Sequence, residues 1–375
     1  MSDNYDLEPN IVDTKKETDR KCPQCDGTMN YDPDTKGLCC PYCGYVEDIP
    51  VDEEEPASAE ELDFLSAEKT GNKNWGAEKK TVICKSCSAE TIYDALDVAN
   101  ECPYCGSNQV MEANDKDSLA PNGVVPFIIS ADQASANFKK WIGKRFFCPK
   151  LAKQSARPDA FKGVYLPYWT FDAHTHTSYT GSYGTDRIVK DREGNRKVVT
   201  DWHPVSGKHE EFIDDQLVIA TTRHPVSMLR RIEPFNTANN KAYKPEYVAG
   251  FVAERYCIGL KEGWEKAKQA ITSRLRSNIS QKIRAKYNAD HVGNLHLRTS
   301  YTGITYKYLM LPIWISSFKY NGKIYQFVVN GQTGKVSGKT PISIWKILLV
   351  AGITLLVCLL LFACCMFFEV VMPAL

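Results

Sequence analysis

The pentapeptide Cys-Pro-Tyr-Cys-Gly occupies residues 40–44 and occurs again, unchanged, at residues 102–106. Each copy follows an earlier Cys-x-x-Cys pair, with 14 residues between the two pairs in both cases. The four pairs are Cys22 and Cys25, Cys40 and Cys43, Cys84 and Cys87, and Cys102 and Cys105. The equal spacing predicts that the N-terminal third of the chain consists of two copies of one small module.

Four thiolates from two Cys-x-x-Cys turns make the tetrahedral ligand set of a structural zinc site. The backbone amides of such turns point at the sulfur atoms, and Gly44 and Gly106 permit the left-handed residue that ends them. The sequence therefore predicts two zinc ribbons that hold two structural Zn²⁺ ions, with no open coordination position. Cys39 aligns with Glu101 and is not a required ligand. Redox-active dithiols are the alternative, but those occur singly, at a helix start in a βαβ unit.

Composition and spacing predict an α+β fold divided into six parts. The predicted parts are a disordered acidic tail (1–20), zinc ribbon 1 (21–47), an acidic linker (48–78), zinc ribbon 2 (79–112), a mixed α+β core (119–340) and a transmembrane helix (345–369). The linker is expected to be too charged to pack. The first 20 residues lack a basic start and an apolar stretch, so we expect no leader peptide.

Within the core, Ser130 and Gln133 form a capping box for a helix over about 131–143. A second helix, over about 261–287, carries an apolar stripe with helical spacing. Each helix is followed by a Leu-Pro-x-Trp segment, at 166–169 and at 311–314, that opens a run of predicted strand. This pattern predicts a duplicated helix-plus-hairpin unit, with chance similarity of two short segments as the alternative.

The C-terminal region contains 22 residues without a charge, from Ile347 to Phe368. A helix of that length spans about 33 Å, enough to cross the hydrocarbon core of a bilayer. A buried soluble helix is the alternative. Lys335, Lys339 and Lys346 precede the span, so the positive-inside tendency predicts a single-pass, tail-anchored inner-membrane protein with its N-terminal bulk in the cytoplasm.

Charge is distributed very unevenly along the chain. Residues 1–118 carry 11 Lys and Arg against 27 Asp and Glu, whereas residues 119–375 carry 35 against 18. Phosphate binding depends on Lys and Arg, so acidic ribbons argue against nucleic acid as their partner and favour a cytosolic protein. The basic helix at 261–287 leaves three uses open: a solvated face, contact with anionic lipid, or contact with nucleic acid.

No catalytic arrangement is supported by spacing, so we expect no enzyme and no catalytic residue. The segment 334–340 resembles a phosphate loop, but Thr333 stands where the first glycine is required, which argues against nucleotide binding. His174 and His176 are two residues apart on a predicted strand and therefore share one face of it. That face is either an ordinary polar surface or a second kind of metal site.

Three segments of the core carry a family resemblance. They are GVYLPYWTFDA at 163–173, PEYVAGFVAERY at 245–256 and NGQTGKVSG at 330–338. Together with the ribbons and the terminal span, they resemble bacterial membrane-anchored zinc-ribbon proteins of the transcription-factor-IIB type, often catalogued as relatives of the primosomal replication-restart helicase. Some of those proteins are found beside SPFH (band-7) or phage-shock-type membrane-stress proteins, and the resemblance implies such a partner.

These observations predict a non-enzymatic adaptor that recruits a cytosolic protein to the membrane. The alternative is a membrane-tethered nucleic-acid-binding protein of replication or transcription, in which the basic helix makes the contacts.

Overall fold

The computed structural model describes residues 21–50, 56–67, 79–85, 90–94, 102, 110–113, 119–150, 161–190, 194–320 and 323–371. The predicted N-terminal tail and most of the predicted second ribbon lie outside these ranges. The described residues form a mixed α+β fold, which confirms the predicted fold class.

The described strands form a small N-terminal sheet and a large sheet, and helices flank the large sheet. The strands are β1 Asn30–Asp32, β2 Gly37–Cys39, β3 Val46–Glu47, β4 Leu62–Asp63, β5 Lys79–Cys84, β6 Glu90–Asp94, β7 Val110–Ala113, β8 Gly123–Val124, β9 Lys162–Lys190, β10 Arg196–Ile219, β11 Lys241–Ala242, β12 Val252–Glu254, β13 His291–Tyr320, β14 Lys323–Asn330 and β15 Val336–Gly338. The helices are α1 Ala131–Gly143, α2 Val226–Arg230, α3 Leu260–Tyr287 and α4 Ile344–Val371.

Three long strands build the centre of the molecule. Strand β9 has 29 residues and pairs antiparallel with β10 on one edge and with β13 on the other. Helix α3 packs against all three strands. Its buried side chains recur every three or four residues, which places them on one face of the helix. They are Trp264, Ala267, Ile271, Leu275, Ile279 and Ile283.

Two segments of the core share the same order of elements. Each has a short strand, a helix, a long strand and a return strand: β8, α1, β9 and β10 in the first, and β12, α3, β13 and β14 in the second. The short strands exchange partners, because β8 runs parallel to β13 and β12 runs parallel to β9. Each segment therefore completes the sheet of the other.

The two Leu-Pro-x-Trp segments make matching hydrogen bonds. The indole N–H of Trp169 donates to the carbonyl of Ile258 at 2.8 Å, and that of Trp314 donates to the carbonyl of Ile129 at 2.7 Å. Each acceptor lies two residues before the first residue of a long helix, α3 or α1 respectively. Each tryptophan thus fixes the start of the helix that belongs to the other segment.

The backbone around these tryptophans repeats as well. The N–H of Ala220 donates to the carbonyl of Pro167 at 3.0 Å, and the N–H of Gly331 donates to that of Pro312 at 2.9 Å. The carbonyls of Ala220 and Gly331 in turn accept from the backbone that leads into α3 and α1. The same set of backbone hydrogen bonds therefore joins β9 to the start of α3 and β13 to the start of α1.

Part of the predicted acidic linker packs on the core, contrary to the expectation. Within 56–67, β4 pairs antiparallel with β13, and the Phe64 ring contacts the Phe171 ring with centroids 6.2 Å apart. The Glu61 carboxylate lies 3.3 Å from the Lys307 ammonium. The segment packs because apolar side chains such as Phe64 contact the core and the Glu61 carboxylate forms an ion pair with Lys307.

Helix α4 carries the apolar run near the C-terminus. Its window Ile344–Leu361 has a mean hydropathy of 2.6, and none of it is buried against the rest of the protein. Among the described helices it is the one long and apolar enough to cross a membrane. A water-exposed helix of this composition would leave a large apolar surface uncovered.

Candidate metal centre

The first Cys-rich module folds as two knuckles beside the small sheet of β1, β2 and β3. In the first knuckle the N–H of Asp26 donates to the carbonyl of Cys22 at 2.8 Å, and in the second the N–H of Gly44 donates to that of Cys40 at 3.0 Å. Asp26 and Gly44 both take positive φ values, 59° and 76°. Glycine adopts this conformation without strain, and aspartate tolerates it, so both turns close tightly.

The turns bring together the four thiols that the spacing predicted. The sulfur atoms of Cys22, Cys25, Cys40 and Cys43 all lie within 4.8 Å of one another. The closest pairs across the two knuckles, Cys22 with Cys43 and Cys25 with Cys40, are each 3.4 Å apart. Sulfur atoms around a tetrahedral zinc with bonds of about 2.3 Å lie about 3.8 Å apart. The four residues therefore fit a metal ion.

Backbone amides support ionisation within this cluster. Desolvation opposes ionisation of Cys40, but hydrogen bonds from the N–H groups of Cys43 and Tyr42 and from neighbouring thiols outweigh it, and the pKa of this thiol falls to about 6. The N–H groups of Gly27 and Tyr45 also act to lower the pKa values of Cys25 and Cys43, but neighbouring thiols and desolvation outweigh them, and the pKa of each of these two thiols is raised. A metal-binding thiol must be deprotonated, so these amides favour the ligand form.

The module is docked on the core through Tyr31. This side chain is 5% exposed, and its hydroxyl donates to the carbonyl of Phe127 at 3.3 Å. Its N–H donates to the carbonyl of Ala249 at 3.1 Å, and its ring contacts those of Tyr247 and Phe251 at 6.1 and 6.5 Å. The metal centre and the core therefore share one apolar cluster.

The second predicted ligand set is described only in part. Cys84, at the end of β5, and Cys102 are both buried in the same apolar cluster. Cys87 and Cys105 lie outside the described residues. Strands β6 and β7 flank β5, and β6 also pairs with β12, so this region extends the large sheet.

A second group of possible metal ligands lies where the linker meets the core. Asp172, Asp214 and Asp215 offer carboxylate oxygens within 4.8 Å of one another. The ammonium of Lys307, however, lies 2.8 Å from Asp215, and the N–H of Asp215 donates to Asp172 at 2.6 Å. The lysine already supplies a positive charge at this cluster, so the arrangement is a structural ion cluster.

Proton sharing links the same cluster to the linker. Desolvation, followed by a hydrogen bond to Glu61, raises the pKa of Asp172 to about 7. The hydrogen bond from Asp172, with those from Thr305 and Lys307, lowers the pKa of Glu61. Asp172 therefore keeps its proton to a higher pH than Glu61 does.

A buried ionic group on β12 was not anticipated from the sequence. Glu254 is fully buried and accepts from Arg223 at 3.1 Å, lies 3.5 Å from the His224 ring nitrogen and accepts from the Thr221 hydroxyl. Burial raises the pKa of Glu254, but these neighbours outweigh it and the pKa is lowered. Glu254 lies about 30 residues after its three partners in the sequence, and no short motif connects them. Glu254 itself belongs to the segment PEYVAGFVAERY, but its partners lie outside that segment.

The two histidines singled out from the sequence have separate partners. The His174 ring contacts Phe212 with centroids 4.6 Å apart, and His176 lies 3.3 Å from Glu210. His176 also borders an open depression of about 620 Å³ on the exposed face of β9, β10 and β13. The described residues place no group of metal ligands around either histidine.

The basic residues of α3 are partly neutralised by local contacts. Lys266 and Lys268 pair with Glu262 and Glu265 on the same helix, and Arg274 pairs with Glu211 at 2.8 Å. These pairs are typical of a solvated helix face. They do not favour lipid or nucleic acid as the target of this helix.

Comparison with known proteins leaves the function open. No protein-family model matches the chain, and no solved structure matches it. An uncharacterized protein of Bacillus subtilis (strain 168), YdjG, is 29% identical over 333 residues, which cover 87% of this chain and 91% of the relative. The similarity spans most of both chains, but the relative's name states no activity.

Proposed function

We propose that this protein is a non-enzymatic adaptor, anchored in the cell membrane by α4, whose zinc-stabilised N-terminal module recruits a cytosolic protein. The observation that carries the proposal is the closed four-thiol cluster at Cys22, Cys25, Cys40 and Cys43, docked on a core that ends in a helix of bilayer length. Four protein ligands leave no open position for substrate or water, so the metal serves the fold.

Zinc is the metal that best suits four thiolates in a tetrahedron. We assign a second zinc ion to Cys84, Cys87, Cys102 and Cys105, which repeat the spacing of the first set. We also interpret the core as an internal duplication, supported by the matching bonds of Trp169 and Trp314.

The surface of the first module suggests the kind of partner. Tyr42 is 78% exposed, and its ring covers Gly27, where a Cβ atom would lie only 2.5 Å from it. Exposed tyrosines held in place by packing are typical anchors of protein interfaces. Residues 21–50 carry five carboxylates against two lysines, and a zinc with four thiolates adds a charge of about −2. The partner surface is therefore expected to be basic with an apolar centre.

We further propose an orientation of the chain in the membrane and a class of partner protein. Lys335 and Lys339 precede α4 and Lys346 lies in its first turn, so the core and the ribbons are expected to face the cytoplasm. The family resemblance favours an SPFH or phage-shock-type membrane-stress protein as the partner.

The experiment is a pull-down from detergent extract that compares the intact chain with a Cys22→Ser, Cys25→Ser variant and with Tyr42→Ala. Cys39→Ser is the matched control, since Cys39 adjoins a ligand but stands outside the four-thiol cluster. We expect the control to retain the partners of the intact chain. The double variant and Tyr42→Ala should lose the same partners, while Tyr42→Ala keeps its zinc. An unchanged partner list for the double variant would refute the adaptor function.

A further inference from the structure

The loop that follows α1 exposes two aromatic rings between basic residues. Residues 144–150 read Lys-Arg-Phe-Phe-Cys-Pro-Lys, and Phe146 and Phe147 are 57% and 41% exposed. The two rings contact each other with centroids 5.4 Å apart. Cys148 and Pro149 are buried and hold the base of the loop, so the aromatic rings are displayed on a fixed turn.

This loop is fastened to the first turn of α4. The N–H of Ser343 donates to the carbonyl of Phe147 at 2.8 Å. The Lys346 ammonium donates to the carbonyls of Phe146 and Cys148, both at 2.8 Å, and lies 5.6 Å from the centre of the Phe146 ring. The loop and the start of α4 therefore lie side by side, and a membrane entered by α4 would meet both at the same depth.

The start of α4 has the same character as the loop. Ile342, Ile344 and Trp345 are 62%, 70% and 83% exposed. The first turn of a membrane-crossing helix lies in the interface between headgroups and acyl chains, where aromatic rings are enriched and Lys and Arg meet anionic headgroups. Lys144, Arg145 and Lys150 are exposed and flank the two phenylalanines.

We propose that the loop 144–150 is a second membrane contact, which inserts Phe146 and Phe147 into the bilayer interface beside α4 and binds anionic lipid headgroups through its basic residues. The inference rests on the proposed anchoring of α4 in the membrane. A bilayer is favoured over a protein as the occupant because the loop is bonded to the turn at which α4 would enter the membrane. Two fixed points of contact would hold the core in one orientation on the membrane surface.

The test uses the full-length chain reconstituted into vesicles of phosphatidylethanolamine and phosphatidylglycerol. The photoreactive residue p-benzoyl-phenylalanine replaces Phe146 in one variant, Leu355 of α4 in a second and Phe212 of β10 in a third. Phe212 is the matched control because it is an aromatic residue with 49% exposure, away from α4 in the chain. Adducts with lipid are identified by mass spectrometry of the irradiated protein.

We expect lipid adducts at positions 146 and 355, with at least roughly tenfold less at position 212. Replacing phosphatidylglycerol by phosphatidylcholine should lower the yield at 146 and leave that at 355 unchanged. Lipid adducts at 355 without any at 146, protein adducts at 146 in their place, or equal yields at 146 and 212 would overturn the second contact while the anchor stands. A lack of lipid adducts at 355 would overturn the anchor and the second contact together.

Discussion

Leu166 of β9 and Leu311 of β13 lie directly opposite each other in the antiparallel pairing of the two longest strands. Each leucine opens a Leu-Pro-x-Trp segment, and each tryptophan faces a valine on its own return strand, Val218 for Trp169 and Val329 for Trp314. The two tryptophans therefore have matching cross-strand neighbours, and each donates to a carbonyl just before one of the two long helices.

This equivalence predicts that Trp169→Phe and Trp314→Phe destabilise the core to a similar extent. Each change removes the indole N–H, so the carbonyl of Ile258 or the partly buried carbonyl of Ile129 loses its donor, at a cost of about 1–3 kcal/mol. The free energy of unfolding is measured by urea titration in detergent. Trp202→Phe is the control, because that ring is 52% exposed and its change should cost less than about 0.5 kcal/mol. A loss confined to one of the two positions would contradict the equivalence.

Features that depend on near neighbours in sequence were predictable, and features that depend on distant ones were not. The Cys-x-x-Cys spacing predicted that the four thiols of the first module lie together. The capping box of Ser130 and Gln133 predicted the start of α1, and the Gln133 side-chain oxygen accepts from the Ser130 N–H. The packing of the linker depends on Glu61 meeting Lys307, 246 residues away. Composition alone predicted that segment to stay unpacked, because charge counts do not show where a counter-charge lies in the fold.

The buried group around Glu254 illustrates the same limit. Its partners Thr221 and Arg223 lie on the segment after β10, which backbone hydrogen bonds from Cys257 and Ile258 to Ala220 join to the segment after β12. No spacing rule connects an isolated Glu with an isolated Arg about 30 residues away. The exchange of β8 and β12 between the two segments was equally hidden, since a repeat in sequence does not show which copy pairs with which.

The ligand assignment predicts the zinc content of single-cysteine variants. The intact chain should hold two zinc ions, Cys39→Ser should also hold two, and Cys43→Ser and Cys102→Ser should each hold one, because a missing thiolate opens a closed site. Zinc is measured by inductively coupled plasma mass spectrometry on protein purified in detergent. Two ions in Cys43→Ser, or one in Cys39→Ser, would show that the ligand set is wrong.

The docking of the metal centre on the core predicts different effects for two substitutions of Tyr31. Tyr31→Phe removes the hydroxyl that donates to Phe127 and should cost about 0.5–1.5 kcal/mol. Tyr31→Ala also removes a buried ring and should cost about 3–5 kcal/mol. Proteolysis of the module should be faster in Tyr31→Ala than in Tyr31→Phe, with zinc retained in both. Equal protection of the module in Tyr31→Ala and the intact chain would mean that the ring does not hold it on the core.

Proton sharing between Asp172 and Glu61 predicts how stability changes with pH. The pKa of Asp172 is raised from 3.8 to about 7, so the folded protein binds a proton there that the unfolded chain has released. The stabilisation from Asp172 is complete below pH 3.8 and is lost as pH rises through about 7. The pKa of Glu61 is lowered, so its contribution changes only in the acid range, below its ordinary value. The groups that face Asp172 are Glu61, Lys307, the N–H of Asp215 and the carboxylates of Asp214 and Asp215.

Asp172→Asn should remove this pH dependence. The asparagine amide still donates to Glu61 but carries no titrating proton, so the urea midpoint of the variant should stay nearly constant from pH 5 to pH 8 as far as this group contributes. The midpoint of the intact chain should fall over the same range. Asp34→Asn, at an exposed turn of the first module, serves as the control and should keep the slope of the intact chain. If Asp172→Asn and the intact chain showed the same slope, the proton between Asp172 and Glu61 would not contribute to stability.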